Sequence, residues 1–187
     1  MRKTIVTFGL ISGAISSLLM LAIVSFMHRI GFEKYGLLVG YTGMVLSFLL
    51  VFFGVRSYRD NVNKGQITFA RAFAVGIAIT VISCVCYVIT WEILYYNFLP
   101  GFMDTYWAHM IAKAKASGAS PEALQAKLQQ LERSKQLYQN PLFNSLMTFI
   151  EPFPVGLVIT LISAAILRKK RQSQAAETPM QVKNYSR

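Results

Sequence analysis

Four apolar segments, each about 20 residues or longer, constrain the fold of this chain more than any other feature. They cover residues 4–27, 36–55, 72–98 and 146–167. A helix rises about 1.5 Å per residue, so each segment can cross the roughly 30 Å hydrocarbon core of a bilayer. Backbone groups in lipid must be hydrogen-bonded within their own segment, which favours helices. We therefore predict an all-α integral membrane protein, a four-helix transmembrane bundle that forms a single domain over residues 1–171.

The first apolar segment has to be distinguished from a cleaved signal peptide, since it begins close to residue 1. A signal peptide has an apolar core of about 7–15 residues followed by a small-residue cleavage site. Here the apolar stretch is longer and ends in the bulky residues Phe26, Met27 and His28. Only 14% of the chain is charged, against about 25% in soluble domains. We predict that the first segment is retained as a membrane span.

Residues 100–145 form the sizeable polar region between the third and fourth apolar segments, and their pattern is helical. Apolar side chains recur at helical spacing through residues 102–116. Ser120-Pro121 is a typical N-cap and first helical position, so a second helix should run to about residue 138. Asn140-Pro141 repeats this signature before the fourth segment. We predict an extracytoplasmic helical hairpin between spans 3 and 4.

The basic residues lie mostly at one set of segment ends, which indicates the orientation of the chain. They include Arg56, Arg59, Lys64, Arg71, Arg168, Lys169, Lys170 and Arg171. Because Lys and Arg favour the cytoplasmic side, we predict cytoplasmic N- and C-termini, with residues 172–187 as a flexible tail. The same basic residues should contact anionic lipid headgroups, at about 1 kcal/mol for each charge. Membrane lipids therefore account for the net charge of +11, and nucleic acid is not an expected partner.

Two acidic residues lie inside the apolar segments, near the ends that we place outside the cytoplasm. They are Glu92 in the third segment and Glu151 in the fourth. An intramembrane carboxylate is costly unless it is paired or protonated, so each is a candidate functional residue. His28 and Arg29, after the first segment, are potential partners at the same level. The two alternatives are a polar cluster that fixes the bundle and a proton- or cation-linked site.

Small residues repeat at helix-packing spacing in three of the segments. The glycines in these stripes are Gly9, Gly13, Gly36, Gly40 and Gly156. Such stripes let helix backbones approach closely, which matters because lipid provides little hydrophobic drive for helix association. Packing within one bundle and contact within a homo-oligomer are both compatible with the pattern.

Motifs for chemistry are absent from the sequence. We find no nucleophile motif, no glycine-rich phosphate loop and no metal-ligand spacing, so no catalytic residue, cofactor or metal site is predicted. Cys84 and Cys86 lie two residues apart in the third segment, where residues i and i+2 of a helix do not face each other. We expect buried thiols and a protein that is not an enzyme.

Several short motifs resemble those of a known family. They are Tyr58-Arg59-Asp60, Gly65-Gln66-Ile67-Thr68-Phe69, Ala72-Phe73, Lys113-Ala114-Lys115 and Glu151-Pro152-Phe153-Pro154-Val155-Gly156. They resemble the bacterial membrane proteins grouped as the domain of unknown function 4199 family, from about residue 4 to residue 170. The resemblance implies a bacterial inner membrane and carries over no activity, substrate or functional residue.

The function expected from the sequence is a structural or accessory role in the membrane, exerted through the helical hairpin. The hairpin is the largest surface that the chain offers to a membrane-protein partner or to a second copy. The alternative is a small oligomeric transporter or channel for protons or cations that uses Glu92 and Glu151. It requires that both carboxylates face a cavity.

Overall fold

The computed structural model describes residues 1–30, 32–99 and 101–169, except for the side chains of residues 26–37, 102 and 103. The helices are α1 (Arg2–Ile30), α2 (Phe32–Ser57), α3 (Phe69–Asn97), α4 (Phe102–Lys115), α5 (Pro121–Tyr138), α6 (Pro141–Ile150) and α7 (Phe153–Leu167). A short π-helical turn, Tyr58–Val62, extends α2. These residues form no strand, only an isolated antiparallel bridge between Ile67 and Lys169. The predicted all-α class is confirmed.

Four helical units are long and apolar enough to cross a membrane. They are Arg2–Ser25, Leu38–Val62, Phe69–Asn97 and Pro141–Leu167. Large apolar side chains cover the outside of the bundle: Leu18 is 64% exposed and Ile166 is 65% exposed. A water-soluble monomer rarely exposes a continuous surface of this kind, whereas lipid suits it. The prediction of four membrane-capable helices is confirmed, and the side of the membrane on which each end lies stays a prediction.

The third span is the centre of the bundle, because α3 packs against α1, α2 and α7. Its buried side chains meet those of α2 in the core, and the largest of the core residues include Phe48, Val51, Val55, Val75 and Ile79. The basic end is the end of the bundle at which α1 begins and α7 ends. The opposite end, which carries α4 and α5, is the hairpin end. There α4 packs mainly on α5, and α5 packs on α6.

Three helices begin at a capping side chain, and the caps at Ser120 and Asn140 are the two that we predicted. The Thr68 hydroxyl accepts a hydrogen bond from the Arg71 N–H at 3.4 Å at the start of α3. The Ser120 hydroxyl caps α5 in the same way, and the Asn140 side chain accepts from the first N–H groups of α6. Each cap satisfies backbone donors that a helix start leaves open, which is why these boundaries are readable locally.

Two spans begin earlier than their apolar stretches. The helix of the third span begins at Phe69 rather than at 72, and that of the fourth begins at Pro141 rather than at 146. Hydropathy identifies only the apolar part of a helix, the part that can lie in lipid, whereas the cap decides where the helix begins. The fourth span is also divided, because Pro152 separates α6 from α7, as expected of a residue without a backbone donor.

Candidate functional site

Polar side chains inside the spans pair with each other between helices. The Ser12 hydroxyl of α1 donates to the Ser47 carbonyl oxygen of α2 at 2.9 Å and lies 3.1 Å from the Ser83 hydroxyl of α3. The Thr80 and Thr160 hydroxyls join α3 to α7 at 3.1 Å. Hydrogen bonds of this kind, together with close packing, hold membrane helices together. These polar groups therefore serve the fold.

The glycines of the predicted packing stripes differ in what surrounds them. A Cβ atom at Gly9 would lie 2.8 Å from Ile82, and one at Gly13 would lie 2.6 Å from Cys86, so α1 approaches α3 closely at both positions. Gly156 is tighter still, at 2.4 Å from Thr80. A Cβ atom at Gly40 would meet nothing within 4 Å. Gly36 lies outside the residues whose side chains are described.

The first predicted carboxylate is part of a polar cluster at the hairpin end. The Ser145 hydroxyl donates to the Glu92 carboxylate at 2.7 Å. One residue earlier on each helix, the Trp91 indole N–H donates to the Asn144 side-chain oxygen at 3.0 Å. The Thr148 hydroxyl donates to the same oxygen at 3.3 Å. These residues, with Tyr87, Tyr138 and Glu151, make up what we call the hairpin-end cluster.

Glu151, the second predicted carboxylate, belongs to the same cluster at a deeper level. The Tyr87 side chain lies near the Glu151 carboxyl, which is exposed on the surface of the bundle. Glu151 follows Ser145, the partner of Glu92, by six residues along the fourth span, a rise of about 9 Å. The two carboxylates thus have different neighbours, Ser145 for Glu92 and Tyr87 for Glu151. The potential partners His28 and Arg29 lie outside the residues whose side chains are described.

Asn144 is the most deeply buried polar residue of the hairpin-end cluster, with 0% of its surface exposed. Its oxygen accepts two hydrogen bonds, but its amide nitrogen has no partner among the described residues. Sequence reasoning missed Asn144, which lies in a stretch that we assigned to the polar hairpin. The nearest signal was the Asn140-Pro141 cap, which starts the helix early enough to carry residue 144 into the bundle.

An aromatic groove of about 300 Å³ lies between the end of α3 and the two hairpin helices. Its wall includes Tyr95, Trp107 and Tyr138, and its rim carries an ion pair of 3.1 Å between Lys135 and Asp104. Burial raises the pKa of the Tyr138 phenol above its usual value. Aromatic side chains with one polar tip favour the boundary between lipid and water, which fits a groove at the hairpin end.

The hairpin-end cluster consists of carboxyl, hydroxyl, amide and indole groups. Among the described residues, no three His, Cys, Asp or Glu side chains are close enough to hold a metal ion. Cys84 and Cys86 are free thiols. The cluster can hold protons and hydrogen bonds, and its geometry places the Ser145 hydroxyl at the Glu92 carboxylate.

Eight basic residues are the predicted headgroup contacts, and the structure places five of them at the basic end in two groups. Arg56 and Arg59 pair with Asp60, at 3.7 Å and 2.7 Å respectively. A groove of about 520 Å³ is lined by Lys64, Arg71 and Lys169, among others. The remaining members are Arg168, which is exposed after α7, and Lys170 and Arg171, which lie with residues 172–187 outside the described part of the chain.

Comparison with known proteins matches the chain to a family model. The model described as "Protein of unknown function (DUF4199)" matches residues 7–169, a range that includes the hairpin-end cluster and the groove at the basic end. No curated protein and no solved structure matches the chain.

Proposed function

The chain belongs to the DUF4199 family of proteins of unknown function, and from that premise we propose a structural or accessory role in the bacterial inner membrane. In this proposal the basic end faces the cytoplasm, where Lys and Arg are favoured. Helices α4 and α5 then lie outside the cytoplasm and present a surface to a membrane-protein partner or to a second copy.

The observation that carries this proposal is the pairing of polar groups inside the spans. Ser12 contacts Ser47 and Ser83, and Thr80 contacts Thr160, so these polar atoms are used in contacts between helices. A translocation path would need such groups to face a cavity instead. The two grooves described above lie at the ends of the bundle rather than along its axis.

The hairpin supports the accessory role because much of its surface is available. The outer face of α5 is exposed at Glu122, Gln125, Gln129 and Arg133. Leu131 is the one buried residue of α5, and α4 packs mainly on α5. Polar, exposed helices that are anchored at one end of a bundle can contact a partner without disturbing the spans.

Photo-crosslinking in native membranes tests the accessory role. A photoreactive residue at Gln125 should give discrete crosslinked species, because this position faces away from the bundle. The matched control carries the same group at Ile93, which is 50% exposed on the apolar surface of α3 and should contact lipid. Mass spectrometry would identify the adduct as another protein or as a second copy. If Gln125 yields only the monomer under conditions that crosslink a known complex, the accessory role is wrong.

The second candidate function is transport of protons or cations, and the placement of Glu151 favours it. Glu151 lies where Pro152 interrupts the fourth span, and such breaks free backbone carbonyls that can act as ligands.

The structural role predicts that Glu92→Gln and Glu151→Gln lower the stability of the protein without changing any flux. Glutamine keeps an acceptor oxygen but loses the carboxylate charge that strengthens a hydrogen bond, so each variant should lose about 0.5–1.5 kcal/mol of stability.

Flux measurements in liposomes separate these two candidates. For the structural role, neither variant should change proton or cation flux relative to the unmodified protein. Glu122→Gln on the exposed face of α5 is the matched control for loss of one acidic charge. Loss of a measurable flux in Glu92→Gln or Glu151→Gln, with protein abundance unchanged, would support transport and contradict the structural role.

A further inference from the structure

We propose that the groove at the basic end is a discrete binding site for a phosphate group. Its polar wall comes from the loop after α2, from α3 and from the residue that follows Arg168: Asn63, Lys64, Gln66, Thr68, Arg71 and Lys169. The groove of about 520 Å³ falls within the range of small-molecule sites, roughly 300–1,000 Å³. This proposal goes beyond the accessory role of the hairpin and does not depend on it.

The cations of the groove form no ion pair with any carboxylate that the structure describes. Asp60 lies in the turn that precedes the groove, and its carboxylate is bound by Arg59 and Arg56. Its field reaches Lys169, but the two do not form an ion pair. Among the described residues, no carboxylate lies within ion-pair distance of Lys64, Arg71 or Lys169. Three cations therefore face one concave surface, and an anion is the ligand that such a surface attracts.

The groove is fixed by contacts between distant parts of the chain. Ile67 and Lys169 exchange two backbone hydrogen bonds, of 3.1 Å and 2.9 Å, which hold the end of the fourth span against the loop. The Arg71 guanidinium donates to the Asn63 side-chain oxygen at 3.3 Å and is thereby oriented. The loop turns sharply at Lys64 and Gly65, where φ is 52° and 77°. A preorganised site loses less entropy when it binds a ligand.

The donor set fits phosphate in particular. The Arg71 guanidinium offers a planar pair of N–H donors, and the two lysines act as point charges, the combination that proteins use for phosphate oxygens. The N-terminus of α3, with Thr68 as its cap, adds a partial positive charge. The groove also lies at the end of the apolar spans, the level at which phospholipid phosphates are found. Its occupant is either a lipid headgroup or a free phosphate ion.

Calorimetric titration of the full-length chain in maltoside micelles tests the site. Short-chain phosphatidylglycerol should bind saturably with one site per chain. Arg71→Gln and Lys169→Gln should each weaken binding about tenfold or more, because each removes a charge-assisted contact. Lys3→Gln is the matched control, since Lys3 is exposed at the same end of the bundle but outside the groove, and it should change affinity less than about twofold.

Titration with inorganic phosphate distinguishes the two sources of the ligand. Binding of phosphatidylglycerol alone, weakened by the groove variants, identifies a lipid headgroup. Binding of inorganic phosphate with the same variant pattern identifies a free phosphate ion. If neither ligand binds saturably, or if Lys3→Gln weakens binding as much as Arg71→Gln, the site does not exist.

A third variant, Lys64→Gln, shows whether weaker binding comes from the lost charge or from a destabilised loop. Arg71 contacts Asn63, so its replacement could loosen the loop, whereas Lys64 is exposed. Lys64→Gln should keep the melting temperature of the unmodified protein and still weaken binding several-fold, by about 1 kcal/mol if one surface charge is lost. Unchanged affinity in this variant would overturn the proposal.

Discussion

Replacing Gly156 with leucine should disrupt the bundle, with a loss of about 3 kcal/mol in the free energy of unfolding. A Cβ atom at this position would lie 2.4 Å from Thr80 and 2.9 Å from Phe48. Phe48 is 1% exposed and Thr80 is 0% exposed. Thr80 cannot rotate away freely, because its hydroxyl is paired with that of Thr160. Either α7 separates from α2 and α3, or the hydrogen bond breaks.

Gly40→Leu is the matched control, since Gly40 belongs to the same kind of small-residue stripe but has open space around it. We expect no loss of stability, and a gain of up to about 1 kcal/mol because leucine favours helices more than glycine does. Thermal unfolding in detergent and abundance in membranes would measure both effects. Equal losses in the two variants would contradict the packing that we describe. A loss of self-association confined to Gly40→Leu would identify Gly40 as a contact between copies.

The parts of this fold that could be predicted from the sequence are those that depend on neighbouring residues. Apolar length predicts the four spans, because crossing a hydrocarbon layer sets a minimum number of residues. Ser120 and Asn140 predict helix starts, because a cap bonds to N–H groups two or three residues away. The cap at Thr68 and the break in the fourth span at Pro152 have equally local causes.

The parts that could not be predicted depend on which helix faces meet. Ser12 and Ser83 lie in different spans, and nothing in either span specifies that their hydroxyls are 3.1 Å apart. The bridge between Ile67 and Lys169 likewise joins residues that are distant in the sequence. This bridge forms one side of the groove at the basic end. From the sequence alone, the basic residues there predicted contacts with headgroups but no groove.

For the two candidate carboxylates, one aspect of the site could be predicted from the sequence and another could not. Their position near one end of the third and fourth spans was readable from the sequence, and the structure brings both into the hairpin-end cluster. The sequence does not show that Glu92 and Glu151 lie at different depths in the bundle. The depth depends on the register between α3 and α6, which the pairing of Glu92 with Ser145 sets. The hydroxyl of Ser145 and the buried amide of Asn144 lay in a segment that we had assigned outside the spans.

The orientation of the bundle should give an all-or-none result in cysteine labelling. Gln129 on α5 and Lys64 in the loop after α2 are both exposed and lie at opposite ends of the bundle. With Cys84 and Cys86 replaced by alanine, a single cysteine at either position can be reached by a reagent only from its own side of the membrane. Alanine suits both positions because each lies in the interior of α3.

Labelling of spheroplasts with a membrane-impermeant maleimide therefore tests the layout most directly. Gln129→Cys should be labelled in intact spheroplasts, and Lys64→Cys should be labelled only after the membrane is permeabilised. Permeabilised samples of both variants show that each cysteine is reactive. Labelling of Lys64→Cys from outside, or protection of Gln129→Cys until permeabilisation, would contradict four spans with the basic end in the cytoplasm.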